Sequence, residues 1–310
     1  MNSQHSPFLI DVDYLRRKAA DRGFDLPTVV WDDVCPSTND ELASLVRGQS
    51  TLTGPPADRF RRIAASESTD LAEVPAEFCI CGTDHQNAGH GRLGRTWTVP
   101  ARRSLTFSIL LSPGAVFDSW GWIPLIAGEA VRSAIAEAGV PAVLKWPNDV
   151  LTEDGKKLCG ILARVEAVPT GPRIVLGMGI NTRLQRGDLP RESASSIAVE
   201  KDTDGSEVAH EDLLISVLST LIPAYRELVG YDEDDFSRSA VGDEVRANMV
   251  TLGTQVRVER PDGSRLFGRA TGLDAGGDLI IDDDICVSAG DVHHLRQAEE
   301  GASTEAGGRR

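Results

Sequence analysis

Residues 89–97 form the segment that most restricts what this 310-residue chain can fold into, because they read Gly-His-Gly-Arg-Leu-Gly-Arg-Thr-Trp. The glycines allow positive φ angles and a close approach of the backbone to a ligand, while the guanidinium groups of Arg92 and Arg95 can donate to carboxylate or phosphate oxygens. Trp97 can close the segment by packing. The segment therefore predicts an anion-binding loop, placed between strand-like runs at 78–81 and 104–111.

Two other interpretations of this loop stay open at the level of its own sequence. The spacing Gly89-x-Gly91-x-x-Gly94 also occurs in the dinucleotide-binding fingerprint, which requires a helix that begins inside the motif. A β-like run follows instead, which disfavours the dinucleotide-binding fold. A glycine-rich surface turn with its arginines in solvent is the simpler alternative, so other segments must decide.

Composition and charge limit the classes of partner. With 41% hydrophobic and 25% charged residues, the chain can form one large domain and a small one. No apolar run approaches the ~20 residues of a membrane helix and no signal-peptide pattern opens the chain, so we expect a cytoplasmic protein without membrane contact. Five scattered cysteines without a C-x-x-C pair predict reduced thiols. A net charge of −15 argues against a broad DNA-binding face, and any polyphosphate needs a local basic pocket.

The hydrophobic patterns predict an α+β fold. We expect helices at 12–20, from 38 onward, at 123–138 and at 213–228, and strands at 31–34, 78–81, 104–111, 142–150, 161–165 and 174–180. The helix from 38 has capping-box spacing at Thr38 and Glu41. After Asp243, short runs at 250–258, 266–273, 279–282 and 285–287 alternate with tight turns, which is typical of a small β-barrel.

These patterns also predict the domain organisation. We expect an N-terminal extension at 1–30, a large domain at 31–242, the barrel at 243–296 and a disordered tail at 297–310. Residues 47–76 lack periodicity and are expected to form a long irregular connection or a mobile insertion.

A second group of polar residues surrounds the turns between 145 and 157. Lys145 and Lys157 lie twelve residues apart across a predicted hairpin, so both can face one cleft. Asn148 and Asp149 offer an amide and a carboxylate for phosphate or Mg²⁺. Each lysine could equally be a solvated surface amine. The chain has no Gly-x-x-x-x-Gly-Lys-Ser/Thr loop, Gly-x-Ser-x-Gly elbow or His-Glu-x-x-His helix, which disfavours P-loop, nucleophile-elbow and zinc-protease chemistry.

Taken together, the motifs resemble those of the biotin–protein ligases. Five segments occur in the family's order and at similar spacing: Ser37-Thr-Asn39, Gln86 with 89–97, Lys145-Trp-Pro-Asn-Asp149, Lys157-Leu-Cys-Gly-Ile-Leu162 and Gly177-Met-Gly-Ile-Asn181. The resemblance implies a mixed-sheet catalytic domain related to class II aminoacyl-tRNA synthetases, followed by an SH3-like barrel. It also implies that biotin and ATP form biotinyl-5′-AMP and pyrophosphate, and that a lysine of a biotin carboxyl carrier domain of an acyl-CoA carboxylase then takes the biotinyl group.

The resemblance assigns roles to particular residues. It implies that Lys157 and Arg92 are catalytic and that Asp149 binds Mg²⁺. Binding of biotin is implied for Ser37, Thr38, Asn39, Gln86, Gly89, His90, Gly91, Arg92, Lys157 and Gly160. Binding of the nucleotide is implied for Arg92, Arg95, Trp97, Lys145, Asn148 and Asn181. The cationic side chains among these residues agree with the implied reaction, because two anions, the carboxylate of biotin and the phosphate of ATP, must be brought together. From the residues alone, helix capping is an alternative role for Ser37 and Thr38.

The resemblance has two departures, a less cationic glycine-rich loop and a connection at 47–76 that looks longer than in relatives, and it leaves two alternative functions open. Many relatives have arginine at the position of His90 and a basic residue at that of Leu93, so the loop of this chain is less cationic. Relatives that also repress transcription carry an N-terminal helix-turn-helix domain, which ~30 residues cannot hold, so we expect a ligase without DNA binding. A lipoate–protein ligase shares the adenylate chemistry. A non-catalytic adaptor that only binds a small ligand is the alternative from a different class.

Overall fold

The computed structural model describes residues 10–48, 61–63, 76–114, 117–231 and 235–295. The helices of these residues are α1 (Val12–Asp21), α2 (Thr38–Val46), α3 (Trp122–Glu137), α4 (Ile197–Lys201), α5 (His210–Gly230) and α6 (Ala240–Ala247). The strands are β1 (Val29–Asp32), β2 (Arg61–Ile63), β3 (Ile80–Thr83), β4 (Gly89–His90), β5 (Thr96–Trp97), β6 (Ser104–Leu111), β7 (Ala142–Lys145), β8 (Asp149–Thr152), β9 (Lys157–Val168), β10 (Gly171–Asn181), β11 (Gln255–Glu259), β12 (Arg265–Leu273), β13 (Leu279–Ile281), β14 (Ile285–Val287) and β15 (Asp291–His294).

Eight of the strands form a mixed sheet in the order β2-β1-β3-β6-β10-β9-β8-β7. β1 and β3 are parallel, and the other neighbours pair antiparallel. Every residue of β6 is buried, because both faces of the sheet are covered there. Leu105, Phe107 and Ile109 face the main apolar core, whereas Ser108 and Leu110 face α2, as the period of two residues in a strand requires.

The helices divide between the two faces of this sheet. α1, α3, α5 and α6 pack together on one face, where Leu15, Ile126 and Leu218 are buried in the main core. α2 packs on the other face against β3, β6 and β10, through Leu42 and Val46. Part of that second face lies beside α2 and forms the floor of a cleft.

Helix α5 differs from the expectation that no apolar segment approaches the length of a membrane span. By length and hydropathy, residues His210–Gly230 would be sufficient to cross a membrane. However, 61% of the apolar part of the helix is buried inside the protein, where it packs along α3. Its hydrophobic character is therefore explained by its place in the core.

The C-terminal strands form an antiparallel sheet in the order β14-β13-β12-β11-β15, and its buried residues continue the main apolar core. Backbone hydrogen bonds also connect it to the large sheet through the segment after α6. The amide of Leu144 in β7 donates to Asn248 O (2.8 Å), and the amide of Val250 donates to Leu144 O (2.9 Å). The Trp146 indole donates to Gly277 O (3.1 Å). The two sheets are thus joined by both backbone and side-chain contacts.

The α+β class, with a mixed sheet and packed helices, is confirmed, but the expected boundaries differ. Residues 10–30 belong to the large unit and are not an extension, because Leu15 and Ala19 are buried in its core and β1 begins at Val29. Helix α6 crosses the expected boundary between 242 and 243 because it packs on α3, and the C-terminal sheet begins only at Gln255.

Other differences concern single elements. The segment at 142–150, expected as a strand that runs into a turn at Pro147, contains β7, that turn and the beginning of β8, which pairs back on β7. The expected insertion at 47–76 contains the short strand β2, which pairs with β1. Its residues 49–60 and 64–75, and the tail expected at 297–310, lie outside the described residues.

Candidate active site

The floor of the cleft is formed by β9 and β10, and glycines bring other side chains close to it. Gly177 and Gly179 are alternate residues of β10 on the face opposite the main core. A Cβ at Gly177 would collide with the carboxamide of Asn39, and a Cβ at Gly179 would lie 2.7 Å from the Trp97 ring. The two positions are about 7 Å apart along the strand. The glycines therefore let a neutral side chain and an aromatic one lie side by side on the sheet.

One end of the cleft consists of uncharged side chains at the start of α2. Ser37 caps the helix by accepting the amide of Asp40 (3.4 Å), so Thr38, which the capping-box spacing selected, lies one position inside the helix. The Thr38 amide donates to Gln86 Oε1 (2.9 Å), and Thr38 Oγ1 lies 2.7 Å from Ser108 Oγ. The sequence Ser-Thr thus supplies both a helix cap and a pocket residue.

Asn39 is held at both ends of its carboxamide. Its Nδ2 donates to Leu162 O (3.2 Å), and its Oδ1 accepts from the Ser108 hydroxyl (2.6 Å). Ser37, Thr38, Asn39 and Ser108 are all buried. Burial of a polar group costs free energy unless the group is hydrogen-bonded, so this network holds the pocket in one arrangement of donors and acceptors.

The other end of the cleft contains the cationic side chains expected there, Arg92, Arg95, Lys145 and Lys157. Lys157 Nζ lies 2.6 Å from Asp149 Oδ1 and 5.9 Å from the centroid of the Trp97 ring. Gly160 lies beside it, since a Cβ there would be 3.0 Å from Lys157 Nζ. Burial is the largest cause that lowers the pKa of Lys145; the carboxylate of Asp149 opposes this shift and the charge of Lys157 adds to it.

The glycine-rich segment is a short hairpin in which β4 and β5 pair and a 3₁₀ turn at Arg92–Gly94 joins them. Gly94 has a positive φ of 72°, which explains the need for glycine at that turn. Gly89 packs against the Gln86 side chain and leaves no room for a Cβ. His90 Nε2 lies 2.9 Å from Asp40 Oδ2, which connects the hairpin to α2.

Two arginines of this hairpin reach across the cleft. Arg92 donates from Nη1 to Asn148 Oδ1 (3.0 Å) and from Nη2 to Gly290 O (3.3 Å). Arg95 forms an ion pair with Asp291 of β15. Burial lowers the pKa of Arg92, and the carboxylate of Asp291 opposes that shift. The C-terminal sheet therefore forms one wall of the cleft.

The structure brings most of the expected site residues into this one cleft. Those that line it are Ser37, Thr38, Asn39, Gln86, His90, Gly91, Arg92, Arg95, Trp97, Lys145, Asn148, Asp149, Lys157 and Gly160. Gly89 and Asn181 lie outside the lining. Gly89 shapes the hairpin beneath it. The Asn181 carboxamide donates to Lys157 O (3.3 Å) and Ser195 O (2.9 Å), so its side chain holds the backbone of Lys157 in place.

Several lining residues were not predicted as site residues. Gly177 and Gly179 carried a usable signal, because alternate glycines in a strand indicate close approach of other groups. Asp291 and His293 line the cleft from β15, a strand that was not predicted at all. Arg191 lines it from a connection after β10. For these three residues the local sequence gives no indication of the site, because only the packing of distant segments brings them there.

Among the described residues, no group of three or more His, Cys, Asp or Glu side chains is arranged to hold a metal ion. Asp149 is the expected Mg²⁺ ligand, and it is ion-paired with Lys157. A single carboxylate fits a Mg²⁺ ion that keeps several waters and shares the oxygens of a phosphate, in contrast to a closed protein site.

The fold and the cleft together define a protein of the biotin and lipoate ligase class. The Biotin/lipoate A/B protein ligase family matches residues 61–181. The structure of a biotin protein ligase from Aquifex aeolicus in complex with biotin and ATP superposes with a TM-score of 0.63 at 23% identity, over 87% of this chain and 100% of that chain. A biotin protein ligase from Leishmania major in complex with biotin has a TM-score of 0.51 at 21% identity, over 87% and 99% of the two chains. At such identities the likeness supports the fold.

Sequence relatives narrow the assignment within the biotin and lipoate ligases. The chain is 34% identical over 249 residues to a biotin–[acetyl-CoA-carboxylase] ligase of Mycobacterium tuberculosis, and the match covers 77% of this chain and 85% of the relative. The bifunctional ligase/repressor BirA of Escherichia coli is 25% identical over 229 residues, which cover 71% of this chain and 67% of the relative. This chain belongs to the biotin–protein ligase family.

Proposed function

We propose that this protein is an ATP-dependent ligase that converts biotin to biotinyl-5′-AMP and transfers the biotinyl group to a lysine of a biotin carboxyl carrier domain. The observation that carries the proposal is the continuity of the cleft. A neutral pocket, which is buried and hydrogen-bonded, lies at Asn39. A charged pocket, formed by lysines and arginines, lies at Lys157. Both pockets lie over neighbouring positions of strands β9 and β10. Such a cleft suits a ligand with a neutral polar ring at one end and a carboxylate at the other.

The neutral pocket accounts for recognition of the ring. A cyclic urea presents two N–H donors and one carbonyl acceptor. Ser37, Thr38 and Asn39 offer hydroxyl and amide oxygens. Gln86 accepts from Thr38 through its Oε1, and no described residue accepts from its Nε2, which leaves a donor for the urea carbonyl. The acid chain of biotin then extends along the floor towards Lys157.

The charged pocket accounts for the first step. A carboxylate oxygen of biotin attacks the α-phosphorus of ATP, the bond from that phosphorus to the bridging oxygen breaks, and pyrophosphate leaves with the electron pair. Lys157, Lys145 and Arg92 offset the repulsion between the two anions and the charge that develops on the departing oxygen. Asn148 orients Arg92. Mg²⁺ held by Asp149 would supply further neutralisation of the phosphate charge.

The second step needs an exposed acyl carbon. The neutral amine of the carrier lysine attacks the carbonyl carbon of biotinyl-AMP, AMP leaves, and the amine loses a proton as the amide forms. His90 and Arg95 of the cleft lining are exposed, so this side of the cleft is open to such a side chain. The name of the Mycobacterium tuberculosis relative supports an acyl-CoA carboxylase as the source of the carrier domain.

Lipoate is the second candidate substrate, because the matching family includes lipoate ligases. Its dithiolane ring has no hydrogen-bond donor, so it cannot use the remaining lone pairs of Ser37, Thr38 and Asn39, and it offers no carbonyl oxygen to Gln86 Nε2. Covering these polar atoms with an apolar ring removes water from them without a replacement hydrogen bond, which costs free energy. The buried network of the neutral pocket therefore favours biotin.

The finer features of the family form part of the same proposal. We infer that the mixed sheet is related to class II aminoacyl-tRNA synthetase domains and that the five-stranded C-terminal sheet is SH3-like, which its short antiparallel strands support. A cytoplasmic ligase without DNA binding agrees with the net charge of −15.

The test is an adenylation assay with labelled biotin, ATP and Mg²⁺, followed by addition of a purified biotin carboxyl carrier domain. We expect pyrophosphate release that depends on biotin and label that moves to the carrier lysine, with lipoate at least about 100-fold less effective. Equal use of lipoate would contradict the proposed substrate. Binding of biotin without pyrophosphate release would instead support the non-catalytic adaptor.

A further inference from the structure

Asp291 brings a carboxylate from the C-terminal sheet into the charged pocket. Its side chain is 17% exposed and forms an ion pair with Arg95, whose side chain is 59% exposed. The charge of Asp291 also acts on the partly buried guanidinium of Arg92 and on the ammonium of Lys145, where it opposes the effect of burial on both pKa values. One acidic residue of the C-terminal sheet thus interacts with three of the cations in this pocket.

The position of this carboxylate conflicts with the binding of an anion. Two like charges repel when they lie close together at a protein surface, so Asp291 and a phosphate are unfavourable neighbours at Arg95. In the absence of a phosphate the same carboxylate is favourable, because unpaired cations that are partly buried cost free energy. Asp291 and a phosphate group are therefore competitors for one guanidinium.

We propose that Asp291 is a displaceable counter-ion that holds Arg95 against the C-terminal sheet until a phosphate of the nucleotide takes its place. This inference rests on the proposed function, since it assigns Arg95 to the nucleotide. Its consequence is that nucleotide entry breaks the ion pair between the glycine-rich hairpin and β15 and leaves the hydrogen bond from Arg92 to Gly290 O. Asp291 is then a positioning residue that sets the affinity for ATP.

The other ion pair of the pocket shows why Asp291 is the exchangeable partner. Lys157 and Asp149 lie on strands β9 and β8 of the same sheet, and each side chain is at least three-quarters buried. Arg95 follows a hairpin turn, whereas Asp291 belongs to another sheet, so their contact crosses between two separately supported segments. The exposed guanidinium of Arg95 is accessible to a phosphate while the pair is formed.

The primary test is Asp291→Asn, which removes the charge and nearly preserves the shape. ATP affinity is measured by calorimetry with Mg²⁺ and no biotin, and the Michaelis constants are measured with biotin. We expect the dissociation constant and KM for ATP to fall by about three- to fivefold, the size of one partly exposed ion pair, with kcat and the KM for biotin unchanged. Asp291→Glu, which keeps the charge, should restore the wild-type value.

The matched control is Asp284→Asn, which makes the same charge change in the C-terminal sheet but at an exposed turn outside the cleft lining. We expect no change in ATP affinity there. In an Arg95→Gln background, Asp291→Asn should no longer tighten ATP binding. Without nucleotide, trypsin should cleave after Arg92 and Arg95 faster in Asp291→Asn than in the wild type, and saturating ATP should reduce that difference.

Several outcomes decide the inference independently of the proposed function. Unchanged or weaker ATP binding by a folded Asp291→Asn protein would overturn the displacement, as would an undiminished effect in the Arg95→Gln background. If the wild type forms biotinyl-AMP and either of these results is found, the inference fails and the function stands. If Asp291→Asn binds ATP more tightly but lipoate is the substrate that reacts, the role of Asp291 as a displaceable counter-ion is supported and the assignment of biotin as the substrate is wrong.

Discussion

The neutral and charged ends of the cleft differ in how their polar side chains are held. At the neutral end, buried groups such as Asn39 and Ser108 are bound to one another and to the backbone, so their positions are fixed before a ligand arrives. At the charged end, Lys157 and Arg95 are held by single ion pairs with carboxylates. A fixed network can discriminate between ring structures, whereas ion pairs can be exchanged as charge moves during a reaction. The same sheet therefore supports recognition at one end and charge redistribution at the other.

The variant with the largest expected effect at the charged end of the cleft is Lys157→Ala. We expect the rate of adenylate formation to fall by at least about 100-fold, because the cation acts mainly where charge accumulates in the transition state. Binding of biotin should weaken far less, since the neutral end is untouched. The measurement is biotin-dependent pyrophosphate release. Lys156→Ala, at the neighbouring residue paired with Asp154 (2.7 Å), is the matched control and should behave as the wild type. Near wild-type adenylation by folded Lys157→Ala would remove this lysine from the mechanism.

Substitutions at two glycines of β10 are expected to affect the neutral end and the charged end of the cleft separately. Gly177→Ala places a methyl group on the Asn39 carboxamide, so we expect the KM for biotin to rise by at least about tenfold with little change for ATP. Gly179→Ala displaces Trp97 and should mainly raise the KM for ATP. Gly187→Ala, where the new methyl group meets open space, is the control. Equal effects on both substrates from both variants would show that the ends are not separable.

A subtler change tests whether the neutral network is fixed by Ser108. In Ser108→Ala, Thr38 and Asn39 each lose a partner, so we expect biotin affinity to fall by about five- to tenfold and the free energy of unfolding by about 1–2 kcal/mol. Calorimetric titration and urea unfolding measure the two effects. Ser104→Ala, on the same strand but paired with Thr106, should destabilise the fold without this loss of biotin affinity. Unchanged biotin binding in Ser108→Ala would contradict a preorganised pocket.

The smallest expected effect concerns pH at the charged end. Burial lowers the pKa of Lys145, so its ammonium loses its proton at a lower pH than an ordinary lysine with a pKa of 10.5. The contribution of Lys145 to ATP binding is complete below that lowered pKa and is lost as the pH rises through it. We expect the KM for ATP to rise a few-fold on the alkaline side, and this limb should flatten in Lys145→Arg. An identical alkaline limb in both proteins would exclude Lys145 as its origin.

The sequence was most informative where function depends on local motifs. The hairpin at 89–97, the lysines at 145 and 157 and the Ser-Thr-Asn segment all line the cleft, because each motif carries its own backbone requirement or charge. Prediction failed where tertiary contacts decide. β15 reads Asp291-Val-His-His294 and lacks an apolar alternation, so its identity as a strand comes from pairing with β11.

The expected N-terminal extension illustrates the same limit. A ten-residue amphipathic helix such as α1 shows its apolar face in the sequence, but not the surface that it covers. Only the fold reveals that Leu15 packs into the core beside α5. Likewise, Asn181 was expected to contact the nucleotide because of its place in a motif, yet its carboxamide is used to hold the backbone of Lys157.

The two backbone hydrogen bonds of Leu144 link opening of the cleft to hydrogen exchange of backbone amides. Its amide and carbonyl are bonded to the segment that leads from α6 into the C-terminal sheet, which also supplies the Asp291 wall. These two bonds break if the wall swings away together with the segment at 248–250. The amide protons of Leu144 and Val250 would then exchange with deuterated solvent at the frequency with which the wall opens. The exchange rates of these two amides, neither of which lines the cleft, would therefore report how often the cleft opens.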